Sequence, residues 1–237
     1  YTIGLYEKAM PGNLSWREKM LAAKEAGYDF IEISIDETDE KLGRLEMSGE
    51  ERLELVTLMY NTGISIRTMC LSGHRKYPIG SRDPGIRSKG MEIMEKAILL
   101  AEDLGIRIIQ LAGYDVYYEK GDDTTRRLFL QNLQKAVEMA SARGIMMGFE
   151  TMETEFMNTV EKAVQYVEKI DRAYLNVYPD LGNITNVAAA YGKDVLEDLE
   201  KGKGRLVAVH LKETVPGKFR EVPFGRGHVD FEKGIKK

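Results

Sequence analysis

The chain is short of several residue types, and each shortage excludes something. Cys70 is the only cysteine, so no internal disulfide can form, and a reducing compartment, the cytoplasm, is the expected location. Three histidines (His74, His210 and His228) are too few for a trinuclear zinc site. No apolar run approaches the roughly 18–20 residues of a membrane span, and the N-terminus has no signal-peptide pattern. A net charge of −4 leaves no basic surplus to displace the counterions of a phosphate backbone, which argues against a general nucleic-acid binder. A phosphorylated small molecule would need only a local basic pocket. No glycine-rich phosphate fingerprint follows a strand, and no Ser-His-Asp hydrolase arrangement is visible. The first residue is Tyr1 rather than Met, so residues before it are expected to be missing.

What is present fits one large α/β domain over residues 1–237, with 43% hydrophobic and 30% charged residues. One mark recurs: a helical pattern, a glycine, then an apolar strand. It occurs at Gly27, Gly63, Gly105 and Gly144, spaced 36, 42 and 39 residues apart, which suits one strand–helix unit each. Capping-box patterns at Ser15-Trp16-Arg17-Glu18 and Ser48-Gly49-Glu50-Glu51 open two helices, and Asn158-Thr159-Val160-Glu161 opens another. Leu53, Val56 and Tyr60 predict the buried stripe of the second of these helices. Met91, Met94, Ile98 and Ala101 mark a further helix face, as do Phe129, Leu133, Ala136 and Ala140. Strands are predicted at 3–6, 30–35, 64–71, 106–111, 145–149, 176–180 and 206–210. That alternation predicts a parallel sheet, here a TIM (β/α)8 barrel covering about seven units, with the eighth strand missing and the chain truncated near Lys237. An open doubly wound sheet is the alternative architecture.

Three of these strands end on polar residues: Gly144 to Thr151 delivers Glu150, Asn176 to Asp180 delivers Asp180, and Leu206 to His210 delivers His210. Each alone is an ordinary polar strand terminus. Together, on successive strands of a barrel whose active face lies at the C-terminal strand ends, they are a nitrogen and oxygen ligand set for one divalent metal. Zinc, manganese, magnesium and cobalt all suit such a set. A metal beside carboxylates suits proton abstraction next to a carbonyl, with Glu150 as the base. Lys212, two residues past His210, points the same way along the strand and is expected to bind a phosphate. Ser72, His74 and Arg75 in the loop after the third strand join it, as does Asn183 close behind Asp180. Cys70 reads as a buried thiol and His228 as structural or exposed.

Several stretches carry a resemblance: Gly4-Leu5-Tyr6-Glu7-Lys8-Ala9, Met69-Cys70-Leu71-Ser72-Gly73-His74-Arg75, Ile109-Gln110-Leu111-Ala112-Gly113-Tyr114-Asp115, Tyr178-Pro179-Asp180-Leu181-Gly182-Asn183 and Val209-His210-Leu211-Lys212-Glu213-Thr214. In these, and over almost its whole length, the chain resembles the sugar-phosphate 3-epimerases of the xylose-isomerase-like barrel superfamily. Within that group it looks most like those interconverting L-ribulose 5-phosphate and L-xylulose 5-phosphate in L-ascorbate utilisation. The resemblance implies metal ligation by Glu150, Asp180, His210 and a second glutamate on the eighth strand, the two glutamates also carrying the protons. It implies a ketopentose phosphate as small-molecule partner and admits a homodimer. An aldose–ketose isomerase of the same superfamily and a non-catalytic sugar-phosphate-binding module are the competing readings.

Overall fold

Where a helix ends on one of the recurring glycines, a parallel strand begins within a few residues. The computed structural model describes residues 1–237. Six strands, β1 (Gly4–Tyr6), β2 (Phe30–Ile35), β3 (Ser65–Leu71), β4 (Ile108–Ala112), β5 (Met146–Glu150) and β6 (Leu175–Val177), pair in sequence order, every neighbouring pair parallel. The helices α1 (Trp16–Glu25), α2 (Asp39–Gly43), α3 (Gly49–Thr62), α4 (Pro84–Leu104), α5 (Asp123–Ser141) and α6 (Val160–Ile170) fall between them. Three more, α7 (Leu181–Tyr191), α8 (Val195–Lys201) and α9 (Phe231–Lys236), follow β6. None of these helices is long and apolar enough to cross a membrane.

The local signals act as expected. Ser15 and Ser48 accept from the backbone N–H groups of Glu18 and Glu51, whose side chains accept in return from the cap N–H, so both capping boxes close. Thr159 caps α6. Gly63 and Gly105 adopt φ of 76° and 74°, a conformation that would strain a residue with a Cβ, and turn the chain from α3 and α4 into β3 and β4.

Contacts between distant strands distinguish a barrel from an open sheet. Glu32 on β2 and His210 beyond β6 lie 2.6 Å apart, and Gln110 on β4 reaches the same imidazole at 2.9 Å. In a flat sheet β2 and a seventh position would be five strand spacings apart, about 24 Å. The sheet is therefore rolled, with Glu32, Gln110 and His210 facing its interior.

Two expectations need correction. The predicted strand at 206–210 is not continuous: it runs parallel beside β6 but pairs only at the bridges Val177↔Leu206 and Asp180↔His210. Pro179 lies between those bridges and has no N–H to donate, so the ladder cannot run through. The face of α3 is also rotated. Leu55, Met59 and Thr62 are the buried residues, Val56 packs from the margin, and Leu53 and Tyr60 are 65% and 88% exposed. Apolar residues occupy two stripes of this helix, so periodicity could not choose between them. The stripes on α4 and α5 are inward as expected, with Met91 at the margin. Ile31, Ile33 and Ile35 on β2 share one apolar cluster with Met20 and Ala23 of α1 and with Leu55 and Met59 of α3, which packs the helices against the outside of the sheet.

Candidate metal centre

Glu150 is the last residue of β5, and the strand brings it to the barrel mouth with a side chain 13% exposed. Two residues earlier on the same face is Gly148, where a Cβ would meet the Tyr178 Cβ at 2.9 Å and a Val207 methyl at 3.1 Å. A side chain there would push both neighbours away from the interior. Asp180 follows β6 and is the N-cap of α7: its Oδ1 accepts from Asn183 N–H at 2.8 Å, and its own N–H donates to Thr151 Oγ1 at 3.0 Å. These bonds fix its carboxylate, which is 2% exposed. His210 is placed by backbone bonds to Pro179 and Leu181, opposite Asp180.

One donor atom from each of Glu150, Asp180 and His210 lies within 4.8 Å of the others. Donors around a tetrahedral zinc ion at roughly 2.1 Å would be about 3.4 Å apart, so the set needs to close by about an ångström or less per side chain. A bound cation would relieve the repulsion between the two carboxylates and would take the place of the second imidazole proton. Burial pushes the Asp180 carboxyl above its ordinary value; Lys212, 3.3 Å away, opposes this and the Glu150 charge adds to it. Burial works against a charged imidazole at His210, but the Glu32 carboxylate, with help from Glu150 3.7 Å from Nδ1, raises it well above its usual value. Two carboxylates and an imidazole drawn together in a buried hollow are a chemically suitable cradle for a divalent cation.

Residue by residue, the other candidates divide. Lys212 donates to Asn183 Oδ1 at 2.6 Å and lies at the edge of the triad through Asp180; Asn183 in turn donates to the Thr151 carbonyl at 2.7 Å. Arg75 stacks on the Tyr117 ring at 4.7 Å and approaches Glu37 at 3.7 Å, leaving its buried Nε without a partner. The Ser72 carbonyl accepts from the Tyr114 hydroxyl at 3.2 Å. His74 is 6% exposed, its Nε2 bonds to the Gly90 carbonyl of α4, and burial holds it down at about 4, so its contacts are those of a neutral packing histidine. His228 bonds to Thr214 Oγ1 at 3.0 Å. Cys70 is 6% exposed, and burial pushes its thiol well up, away from nucleophile chemistry.

The chain matches the model of a family described as xylose isomerase-like TIM barrel over residues 20–237. It belongs to that family. Within this TIM barrel family, the chain is 48% identical over 231 residues to the L-ribulose-5-phosphate 3-epimerase UlaE of Escherichia coli O139:H28 (strain E24377A / ETEC), covering 98% of this chain and 80% of that one. The UlaE of Shigella sonnei (strain Ss046) matches to the same extent. Among solved structures, a D-allulose 3-epimerase from Methylomonas sp. in complex with D-allulose superposes with a TM-score of 0.79 at 21% identity, over 100% of this chain and 81% of that one. An L-ribulose 3-epimerase gives 0.77 at 20%, over 97% and 74%. At those identities the structural likeness speaks for the barrel fold.

Sequence reasoning missed the groups that surround His210 inside this TIM barrel. Glu32 is 3% exposed and Gln110 fully buried, while the rings of Tyr178 and Tyr6 lie 5.0 and 5.9 Å from the imidazole. A signal existed. In Ile31-Glu32-Ile33-Ser34-Ile35 a polar residue alternates with isoleucine, and a polar side chain in mid-strand of a barrel faces its interior.

Proposed function

We propose that the protein is a metal-dependent 3-epimerase that interconverts L-ribulose 5-phosphate and L-xylulose 5-phosphate. The observation that carries this reading is the convergence of Glu150, Asp180 and His210 in a chain 48% identical to L-ribulose-5-phosphate 3-epimerases. A divalent cation bound there would supply positive charge to the oxygens flanking C3. Glu150, partly open to the barrel mouth, removes the C3 proton from one face. Asp180 and His210 hold the centre in place, each anchored by a partner deeper in the protein, Thr151 for one and Glu32 for the other. Inversion needs a second proton carrier on the opposite face, the role that the resemblance assigns to a glutamate on the eighth strand.

The phosphate reading rests on Arg75 and Lys212, with Ser72 beside Arg75. The unpartnered buried Nε of Arg75 supports it, because a buried N–H without an acceptor is costly and an incoming phosphate oxygen relieves it. Lys212, already held by Asn183 and 3.3 Å from Asp180, adds a preset point charge beside the ligand triad. The metal is one of zinc, manganese, magnesium or cobalt. The single buried thiol of Cys70 supports a cytoplasmic location.

Epimerisation run in deuterium oxide tests the reaction. The expected outcome is metal-dependent incorporation of solvent deuterium at C3 of both ketose phosphates. Interconversion without deuterium at C3 would refute proton abstraction, and loss of label specificity toward C1 or C2 would point to an aldose–ketose isomerase.

A further inference from the structure

Behind His210, on the side away from Glu150 and Asp180, is a carboxylate that the proton chemistry does not use. Glu32 projects inward from β2 and is 3% exposed. Its Oε2 accepts from Thr68 Oγ1 on β3 at 2.7 Å and from the Tyr178 hydroxyl beyond β6 at 3.1 Å. Its Oε1 lies 2.6 Å from His210 Nε2. Three elements of the barrel thus spend a donor on one buried acid. A buried carboxylate is expensive to maintain, and an apolar residue of similar size would fill the same interior space without that cost.

The direction of the bonds shows what the acid accomplishes. A carboxylate only accepts, so the contact with Oε1 requires a proton on Nε2. The Gln110 amide nitrogen lies 2.9 Å from Nδ1 and 3.3 Å from Nε2, so it touches both ring nitrogens and the Glu32 contact alone selects between them. Nδ1 is also the nitrogen 3.7 Å from Glu150 Oε1. The ring is pinned in rotation by Glu32 behind it and by the Tyr178 ring beside it.

We propose that Glu32 is a positioning residue: it holds His210 as the Nε2–H tautomer and aims the Nδ1 lone pair at the space between Glu150 and Asp180. The inference rests on the reading of Glu150, Asp180 and His210 as metal ligands. An acceptor behind a ligating imidazole fixes its tautomer and orientation and raises its basicity, and removing such partners typically weakens metal affinity about 10–100-fold.

Zinc-loaded full chain carrying 15N-histidine, examined by long-range 1H–15N correlation, gives the first test. The expected spectrum has the His210 proton on Nε2 and zinc on Nδ1; the proton on Nδ1 with zinc on Nε2 overturns the proposal. Zinc affinity by chelator competition gives the second. Glu32→Ala is expected to bind about 10–100-fold more weakly, and Glu32→Gln, whose amide oxygen still accepts from Nε2–H, to retain the tautomer and lose less. Wild-type zinc affinity in Glu32→Ala overturns the role of Glu32 and leaves the ligand set standing. Failure of the wild-type chain to take up zinc overturns both. A merely structural carboxylate would lower the melting temperature of both variants while leaving zinc affinity and tautomer unmoved. If Glu32→Ala does not fold, the wild-type and Glu32→Gln spectra decide.

Discussion

Asp180→Asn separates what the folded chain needs from what the metal centre needs. The asparagine keeps an oxygen for the N-cap of α7, where the two residue types are near equivalents, so the bond from Asn183 N–H survives. The ion pair with Lys212 is lost, but the lysine side chain is 29% exposed, so its charge stays solvated without the partner. Against that stands a gain. The Asp180 carboxyl is raised by burial and by Glu150, so the folded protein binds its proton more tightly than the unfolded chain does. Stability from this group therefore falls as pH rises from the ordinary aspartate value through the folded one, and at neutral pH the ionised carboxylate destabilises the metal-free fold. The expected melting temperature of metal-free Asp180→Asn is equal to or above that of metal-free wild type.

Metal reverses the ranking. Loss of a ligand should exceed the effect of losing a ligand's hydrogen-bond partner, so affinity should fall by about a hundredfold or more. At zinc 100 times the wild-type Kd, wild type gains about 2.7 kcal/mol and the variant only about 0.4. With about 2–4 °C per kcal/mol for a chain of this size, wild type shifts by roughly 5–11 °C and the variant by about 1 °C. Thermal melts with and without zinc, alongside metal analysis and the C3 exchange assay, check this. A variant that keeps full metal content, the wild-type zinc shift and the wild-type rate would refute the assignment of Asp180. A metal-free variant melting far below wild type would refute the electrostatic argument.

Three further outcomes are expected. Glu150→Gln should abolish C3 proton exchange, because an amide of the same shape cannot take up the proton; exchange at the wild-type rate would place the base elsewhere. Arg75→Ala should raise KM for the phosphorylated ketose about 10–100-fold and leave a non-phosphorylated ketopentose nearly unchanged, since one charge-assisted bond is worth roughly 1.5–3 kcal/mol; equal losses on both substrates would make Arg75 structural. His74 is buried neutral, its folded value of about 4 lying below the 6.5 of the free side chain. Its contribution is full above pH 6.5 and disappears by about pH 4, about 3 kcal/mol in all, so urea titrations across that range should show a steeper loss in wild type than in His74→Gln.

Much of the barrel was legible because its signals are local. A serine three residues before a glutamate closes its box whatever lies around it, and Gly63 or Gly105 needs its left-handed turn wherever the helix packs. The three ligand-type residues were visible for a similar reason: they follow apolar runs. What escaped depends on which distant side chain arrives. Leu53 and Tyr60 fit a helical stripe as well as Leu55 and Met59 do, and only the position of the sheet decides between them. His74 reads as a loop histidine until Gly90 of α4 is set beside it. Pro179 was in view, yet its effect on the ladder required knowing that residues 206–210 lie alongside it. Glu32 could be recognised as an inward acid, but nothing near it in sequence indicates His210.

The bond between Glu32 and His210 joins positions 178 residues apart. Neighbouring strands of this sheet pair across much shorter stretches of chain, and the strand order is the sequence order. The entropy of closing a loop grows with its length, and contacts between remote positions are rewarded only after the intervening chain has condensed. On a refolding pathway the imidazole therefore meets its carboxylate late, after β2 to β6 have assembled. A chain stalled with four or five strands formed would have much of its helical signal and no metal centre. Ion uptake during refolding would thus report the closing event itself, on a different clock from circular dichroism.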